Sequence, residues 1–184
     1  TALLILLAFN TVSMIRPLPV GFDSLILYHN TASLLTQYGR LIGGIAAYNY
    51  ELLITWGLLL FQSKTAGLFV VYLGSLLAIG LLFETLRQKF GARNALWWTA
   101  FFVSLPMTSF LLHIDVKIDL PLLFFSLLAI HYAVKAAPHL KNKEGIHFVL
   151  LTGIFLGIAF GIKYTTAMLI GIVLAFWAYE LWGT

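Results

Sequence analysis

The sequence predicts an all-α protein, a polytopic transmembrane helix bundle of about six spans with a long first outer loop carrying interfacial helices. Three observations predict it. The 184 residues are 61% hydrophobic and only 10% charged, where a soluble domain carries roughly 25% charged residues. Mean hydropathy is +0.96, which makes the bilayer the solvent. Apolar stretches near the ~20 residues that a membrane helix needs then follow one another along the chain.

In order, the run "TALLILLAFNTVSMI" lacks the basic start and small-residue cleavage site of a signal peptide. It reads as a first span that has lost its beginning. Since "AFWAYELWGT" also stops at a membrane edge, 1–184 is expected to be a single transmembrane domain cut from a longer chain. Residues 65–83 and 94–112 carry no charge, and Pro106 should kink the second of these. Residues 120–134, 145–162 and 164–182 complete the set. Residues 15–64 are expected to form the outer loop, in which "YELLITWGLLLFQS" (50–63) is too short to cross and reads as an interfacial or re-entrant helix.

Within the spans, Gly153, Gly157 and Gly161 recur at four-residue spacing, a pattern of close helix packing. His131 reads as a hydrogen-bonded core histidine, and Trp97, Trp98, Trp177 and Trp182 as interfacial anchors or packing. Glu84 and Arg87 are spaced for a local ion pair.

Basic residues set the orientation. Arg87, Lys89 and Arg93 lie between the second and third spans, and Lys135, Lys141 and Lys143 between the fourth and fifth. Both groups belong in the cytoplasm by the positive-inside rule and read as plain linkers. Such edge residues account for the net charge of +4, so no nucleic-acid partner is implied and the lipid bilayer is the partner that is. With no cysteine, disulfides and thiolate metal sites are excluded.

The outer side then receives Asp23, Glu51, Asp115 and Asp119, with His29, His113, Lys117, Lys163, Arg16 and Arg40. Ionisable groups at membrane depth are costly and mark pathways or sites. Asp23 follows Pro and Gly and precedes "LILY", which suits a helix N-cap. It also suits a general base, because a carboxylate partly withdrawn from water gains proton affinity. In "HIDVKIDLP", Asp119 fits an N-cap with Pro121 in the first turn. Asp115 and His113 are the candidates for a divalent cation, the only cofactor raised, but two side chains do not make a metal site. Lys163 in "GIKYTT" either snorkels to the interface or faces an anionic lipid headgroup with help from Thr165 and Thr166.

Taken together, "GFDSLILYHNTASLLTQYGRL", "YNYELLITWGLLL", "HIDVKIDLPLLFF" and "GIAFGIKYTTAMLI" resemble the amino-terminal half of GT-C membrane glycosyltransferases. The likeness is to the bacterial branch of the protein O-mannosyltransferase and aminoarabinose-transferase-like superfamily. Many of its bacterial members read Asp, small residue, Leu, any residue, Tyr-His. Here Asp23, Ser24 and Leu25 precede Tyr28-His29 with one extra residue before the Tyr. Glu51 to Leu53, Asp119 to Pro121 and Gly161 to Thr165 match three further motifs. The second acid that many relatives carry beside the first is replaced by Ser24, which argues against a metal held by a paired motif.

The resemblance implies a multi-pass enzyme of the bacterial inner (cytoplasmic) membrane. Such an enzyme moves a sugar from a polyprenyl-phosphate carrier to an acceptor hydroxyl on the outer face. It implies Asp23 as the base, Lys163, Lys117 and Arg16 as cations for the carrier phosphate, Asp115 positioning acceptor or metal, and Tyr28 and His29 among the substrate-binding residues. An alternative is a non-catalytic integral-membrane subunit that keeps the scaffold and packs against other membrane proteins. A transporter is a third reading, but the acids lie at the membrane edge and no internal repeat is present.

Overall fold

The computed structural model describes residues 2–13, 15, 21–22, 24–41, 49–113 and 117–182, and every regular element among these is helical. Helix α1 (Ala2–Ser13) is followed by a π-helix (Ser24–Tyr28) that runs directly into α2 (His29–Tyr38). Then come α3 (Asn49–Phe61), α4 (Lys64–Ser104), α5 (Pro106–His113), α6 (Asp119–Ala136), α7 (Ile146–Ile162) and α8 (Ala167–Trp182). Among the described residues, four helical stretches are long and apolar enough to cross a membrane: Lys64–Ser104, Asp119–His139, Lys143–Ile162 and Tyr164–Trp182. The chain is a multi-pass integral membrane protein.

The 41 residues of α4 comprise two helices joined across a break at Gly91. They hold the stretch 65–83 and the start of the next one. The basic segment between them, with Arg87, Lys89 and Arg93, contains that break. Gly91 alone departs from helical geometry inside α4, at φ 77° and ψ 162°, a conformation open to glycine but not to side-chain-bearing residues. The turn before it is fixed by Glu84, which accepts from Arg87 Nε at 2.7 Å and from Gln88 Nε2 at 2.9 Å.

Pro106 does more than kink its helix. Leu105 is extended at φ −58° and ψ 135°, as expected for a residue whose α-conformation the following proline ring disfavours. The helix ends at Ser104, and Pro106 opens α5 in the first position, where a missing N–H costs nothing.

The chain separates into two compact units. In the first, Thr1–Ile45 with Tyr50–Pro121, α1 is tied to α4 by Tyr72, which donates to Leu7 O at 3.0 Å and lies 3.0 Å from Thr11 Oγ1. α3 is tied to α4 by Tyr50, whose hydroxyl donates to Val70 O at 2.9 Å. That hydroxyl passes over Gly74, where a Cβ would overlap it and also lie 3.0 Å from the Pro121 ring.

The second unit, Ala46–Asn49 with Leu122–Thr184, packs α6, α7 and α8 around Ala129, Ala133, Leu156 and Val173. Trp177 Nε1 donates to Ala133 O at 2.9 Å, and Tyr132 stacks on Phe155 with ring centroids 5.7 Å apart. Gly161 is closely approached by Asn49, but Gly153 and Gly157 have nothing within 4 Å. The expected glycine packing is therefore met at one of the three positions. His131 is half-buried beside the Tyr132 ring and does not belong to the core.

The glycines sort by what surrounds them, and so should their alanine variants. Gly74→Ala should lower stability by about 1–3 kcal/mol through overpacking. Gly153→Ala should leave it unchanged or raise it by up to ~1 kcal/mol through helix propensity. Thermal unfolding midpoints in one detergent compare the two.

Candidate functional site

Helix α2 has two different faces. His29, Ala32 and Leu35, three residues apart, are buried. Asn30, Ser33 and Gln37 lie on the other side and line a cavity of about 410 Å³ together with Leu25, Ile26, His29 and Lys64. The π-helix Ser24–Tyr28 sets this rotation. A π-turn closes over one residue more than an α-turn, which gives room for the extra residue that precedes Tyr28.

The buried face of α2 meets α3 and α4 within the first unit. A Cβ at Gly67 would lie 3.0 Å from both His29 Cε1 and Ile54 Cγ2, so His29 sits where only a glycine leaves space. On α3, Thr55 donates to Glu51 O at 2.7 Å and lies 3.4 Å from Ala32 O. One turn earlier, Glu51 is 5% exposed, and its Oε2 has no hydrogen-bond partner among the described residues. Burial pushes the Glu51 carboxyl up to about 7 against the opposing pull of its own backbone hydrogen bond. The neighbouring Tyr50 phenol is pushed up by burial as well.

Lys64, the first residue of α4, also lines the cavity. It also borders a shallower pocket of about 190 Å³ that shares Ser33 and Gln37. The wall is therefore split: Leu25 and Ile26 are apolar, while Asn30, Ser33, Gln37 and Lys64 are polar.

Of the residues singled out from sequence, Tyr28 ends the π-helix half-buried, and His29 is buried at the cavity. Lys117 lies half-buried just before α6, and Asp119 is in the first turn of that helix. Lys163 belongs to the second unit, half-buried at the end of α7 with its N–H on Ala159 O at 3.0 Å. The Thr166 hydroxyl, expected to help Lys163 at a headgroup, instead donates to Ala159 O at 3.2 Å. Arg16, Asp23 and Asp115 lie outside the described residues, as does the side chain of His113. Among the described residues, no three His, Cys, Asp or Glu side chains are grouped to hold a metal ion.

Sequence reading noticed Glu51 as an outer acid and Lys64 as a segment boundary, but assigned a role to neither. Asn30 and Gln37 drew no notice. Their signal was the polar spacing 30, 33, 37, which repeats at helical period on one face.

Comparison with known proteins gives one family. Residues 48–183, most of the chain, match the family described as dolichyl-phosphate-mannose-protein mannosyltransferase. No curated protein and no solved structure matches. The matched region takes in Glu51, Lys64, Lys117 and Lys163 and begins after His29.

The Glu51 environment makes stability depend on pH. Folding raises this carboxyl from its ordinary 4.5 to about 7, so the folded chain holds a proton that the unfolded chain has released. Its contribution is fully present below about 4.5, is lost as pH rises, and is gone above about 7. The loss should be on the order of 3 kcal/mol. Glu51→Gln should abolish it, so that the unfolding free energies of variant and wild type diverge between pH 5 and pH 8 by about that amount.

Proposed function

The chain belongs to the dolichyl-phosphate-mannose-protein mannosyltransferase family, a family of GT-C membrane glycosyltransferases. From that premise we propose that it moves a sugar from a polyprenyl-phosphate carrier to an acceptor hydroxyl at the outer face of a bacterial cytoplasmic membrane. The observation that carries this reading is the family match over residues 48–183. The spans give a lipid-linked donor a bilayer to lie in, and the split wall beside His29 suits an amphiphile.

In this reaction the acceptor oxygen attacks the anomeric carbon. The bond from that carbon to the phosphate oxygen breaks, and the electron pair leaves with the phosphate. The acceptor proton passes to the Asp23 carboxylate. The leaving phosphate gains charge, and a preorganised cation lowers the barrier to its departure. Lys163, Lys117 and Arg16 are proposed for that role, with Asp115 positioning the acceptor and Tyr28 and His29 contacting substrate.

Asp23→Asn tests the reading. The amide keeps the size of the side chain and its capacity to cap a helix but removes the base. Transfer of labelled sugar from the polyprenyl-phosphate donor, followed in membranes containing the protein, should fall by about 100-fold or more at unchanged expression and melting behaviour. Full activity in the variant would remove Asp23 from the mechanism.

A further inference from the structure

The connection between α6 and α7 has a fixed path. Its two 3-10 turns, Ala137–His139 and Lys143–Gly145, are closed by Asn142 N–H on His139 O at 2.9 Å and by Gly145 N–H on Asn142 O at 3.1 Å. Gly145 lies directly against the His139 carbonyl, where a Cβ would overlap it. Side chains on this connection are therefore presented by a set backbone.

Three exposed lysines stand here, Lys135 in the last turn of α6 and Lys141 and Lys143 in the connection. Glu144 is the acid among them, and Glu180 lies near the end of α8. Lys141 and Glu180 already have interactions of their own. Lys135 and Lys143 have no ion pair among the described residues. Lys135 Nζ instead lies 6.0 Å from the centroid of the Tyr132 ring, at the limit of a cation–π contact.

A second observation sets the depth of these cations. The bond from Trp177 Nε1 to Ala133 O holds the last part of α8 beside the last part of α6. Tyr179 and Trp182 follow shortly after and are 73% and 91% exposed. Exposed Tyr and Trp at the end of a span sit at headgroup level. The lysines thus stand at the depth of lipid phosphates, next to the exposed apolar side chains of Val134 and Ile146.

We propose that this edge binds the headgroup of an anionic phospholipid, with Lys135 and Lys143 as the counter-charges. Its ligand is a bulk lipid of the leaflet and takes no part in sugar transfer. The site is also remote from the cations assigned to that reaction within this unit. The 17 residues of α7 span about 25 Å, and Lys163 follows their other end.

Phosphatidylglycerol with a photoreactive headgroup, doped into phosphatidylcholine nanodiscs that hold the purified chain, tests the site by mapping adducts to peptides. Residues 134–147 should be labelled, and unlabelled phosphatidylglycerol should compete where phosphatidylcholine does not. A lysine near a membrane surface favours anionic lipid by about fivefold, so Lys135→Gln with Lys143→Gln should lower this labelling by more than tenfold. Labelling at residues 87–93, the other basic segment, should stay constant, and arginine at both positions should keep the wild-type level. Should the double variant melt early in pure phosphatidylcholine, Lys143→Gln alone takes its place with an expected loss of about fivefold. Equal competition by phosphatidylcholine, or wild-type labelling of residues 134–147 in the glutamine variants, overturns the proposal.

Discussion

Inside hydrocarbon a peptide N–H or C=O without a partner costs several kcal/mol, and a crossing segment must therefore close its own hydrogen-bond ladder. The interruptions of this chain obey that constraint. At the break before Pro106, the Leu105 N–H reaches Phe101 O and Phe102 O at 3.2 and 3.3 Å, and the Leu105 carbonyl accepts from Ser109 N at 2.9 Å. Between α7 and α8, Lys163 N pairs with Ala159 O and Thr166 N with Lys163 O, both at 3.0 Å. Hydroxyls inside the spans follow the same economy. Ser75 donates to Val71 O at 3.0 Å and Thr152 to Phe148 O at 2.8 Å, each one turn back on its own helix. Thr99 departs from it: its hydroxyl is fully buried without a partner among the described residues.

What composition and spacing could reveal follows from that constraint. A membrane span advertises itself by an uncharged run, so the helices of residues 64–104 and 119–182 are legible from the apolar stretches alone. Strictly local pairs are legible too, as with Glu84 and Arg87 three residues apart. Reading failed where the answer lay with a partner from elsewhere in the chain. Gly153, Gly157 and Gly161 look alike in sequence, yet among the described residues only Gly161 is closely approached, by Asn49. Thr166 looked like a headgroup donor because its bond to Ala159 O is a feature of how the turn closes.

The candidate site shows the same division. His29 was legible through its motif, while Glu51 and Lys64 were read as the ends of an apolar segment. Both ends matter because α3 is short. Its 13 residues rise about 20 Å, well under the ~30 Å of a bilayer core, so it does not carry its polar ends to opposite aqueous phases as a crossing helix does. Glu51 is instead buried, and Lys64 lines the cavity. An acid that prefers its proton near pH 7 and a cation at a helix N-terminus are each unfavourable for folding alone.

The π-turn at Ser24–Tyr28 links these observations. Each residue of an α-helix advances the face by about 100°, so removing one residue ahead of α2 would rotate the whole helix by that angle. His29, Ala32 and Leu35 would leave the interface with α3 and α4, and polar residues of the 30, 33, 37 row would turn toward it. Ala32 is fully buried with its carbonyl oxygen 3.4 Å from Thr55, and Gly67 leaves only enough space for the His29 ring. Those contacts specify one rotation and exclude the other. The extra residue before Tyr28 is consequently what keeps the apolar row against the core and the amide row facing the cavity, and a chain that lost it would have to rebuild both faces together.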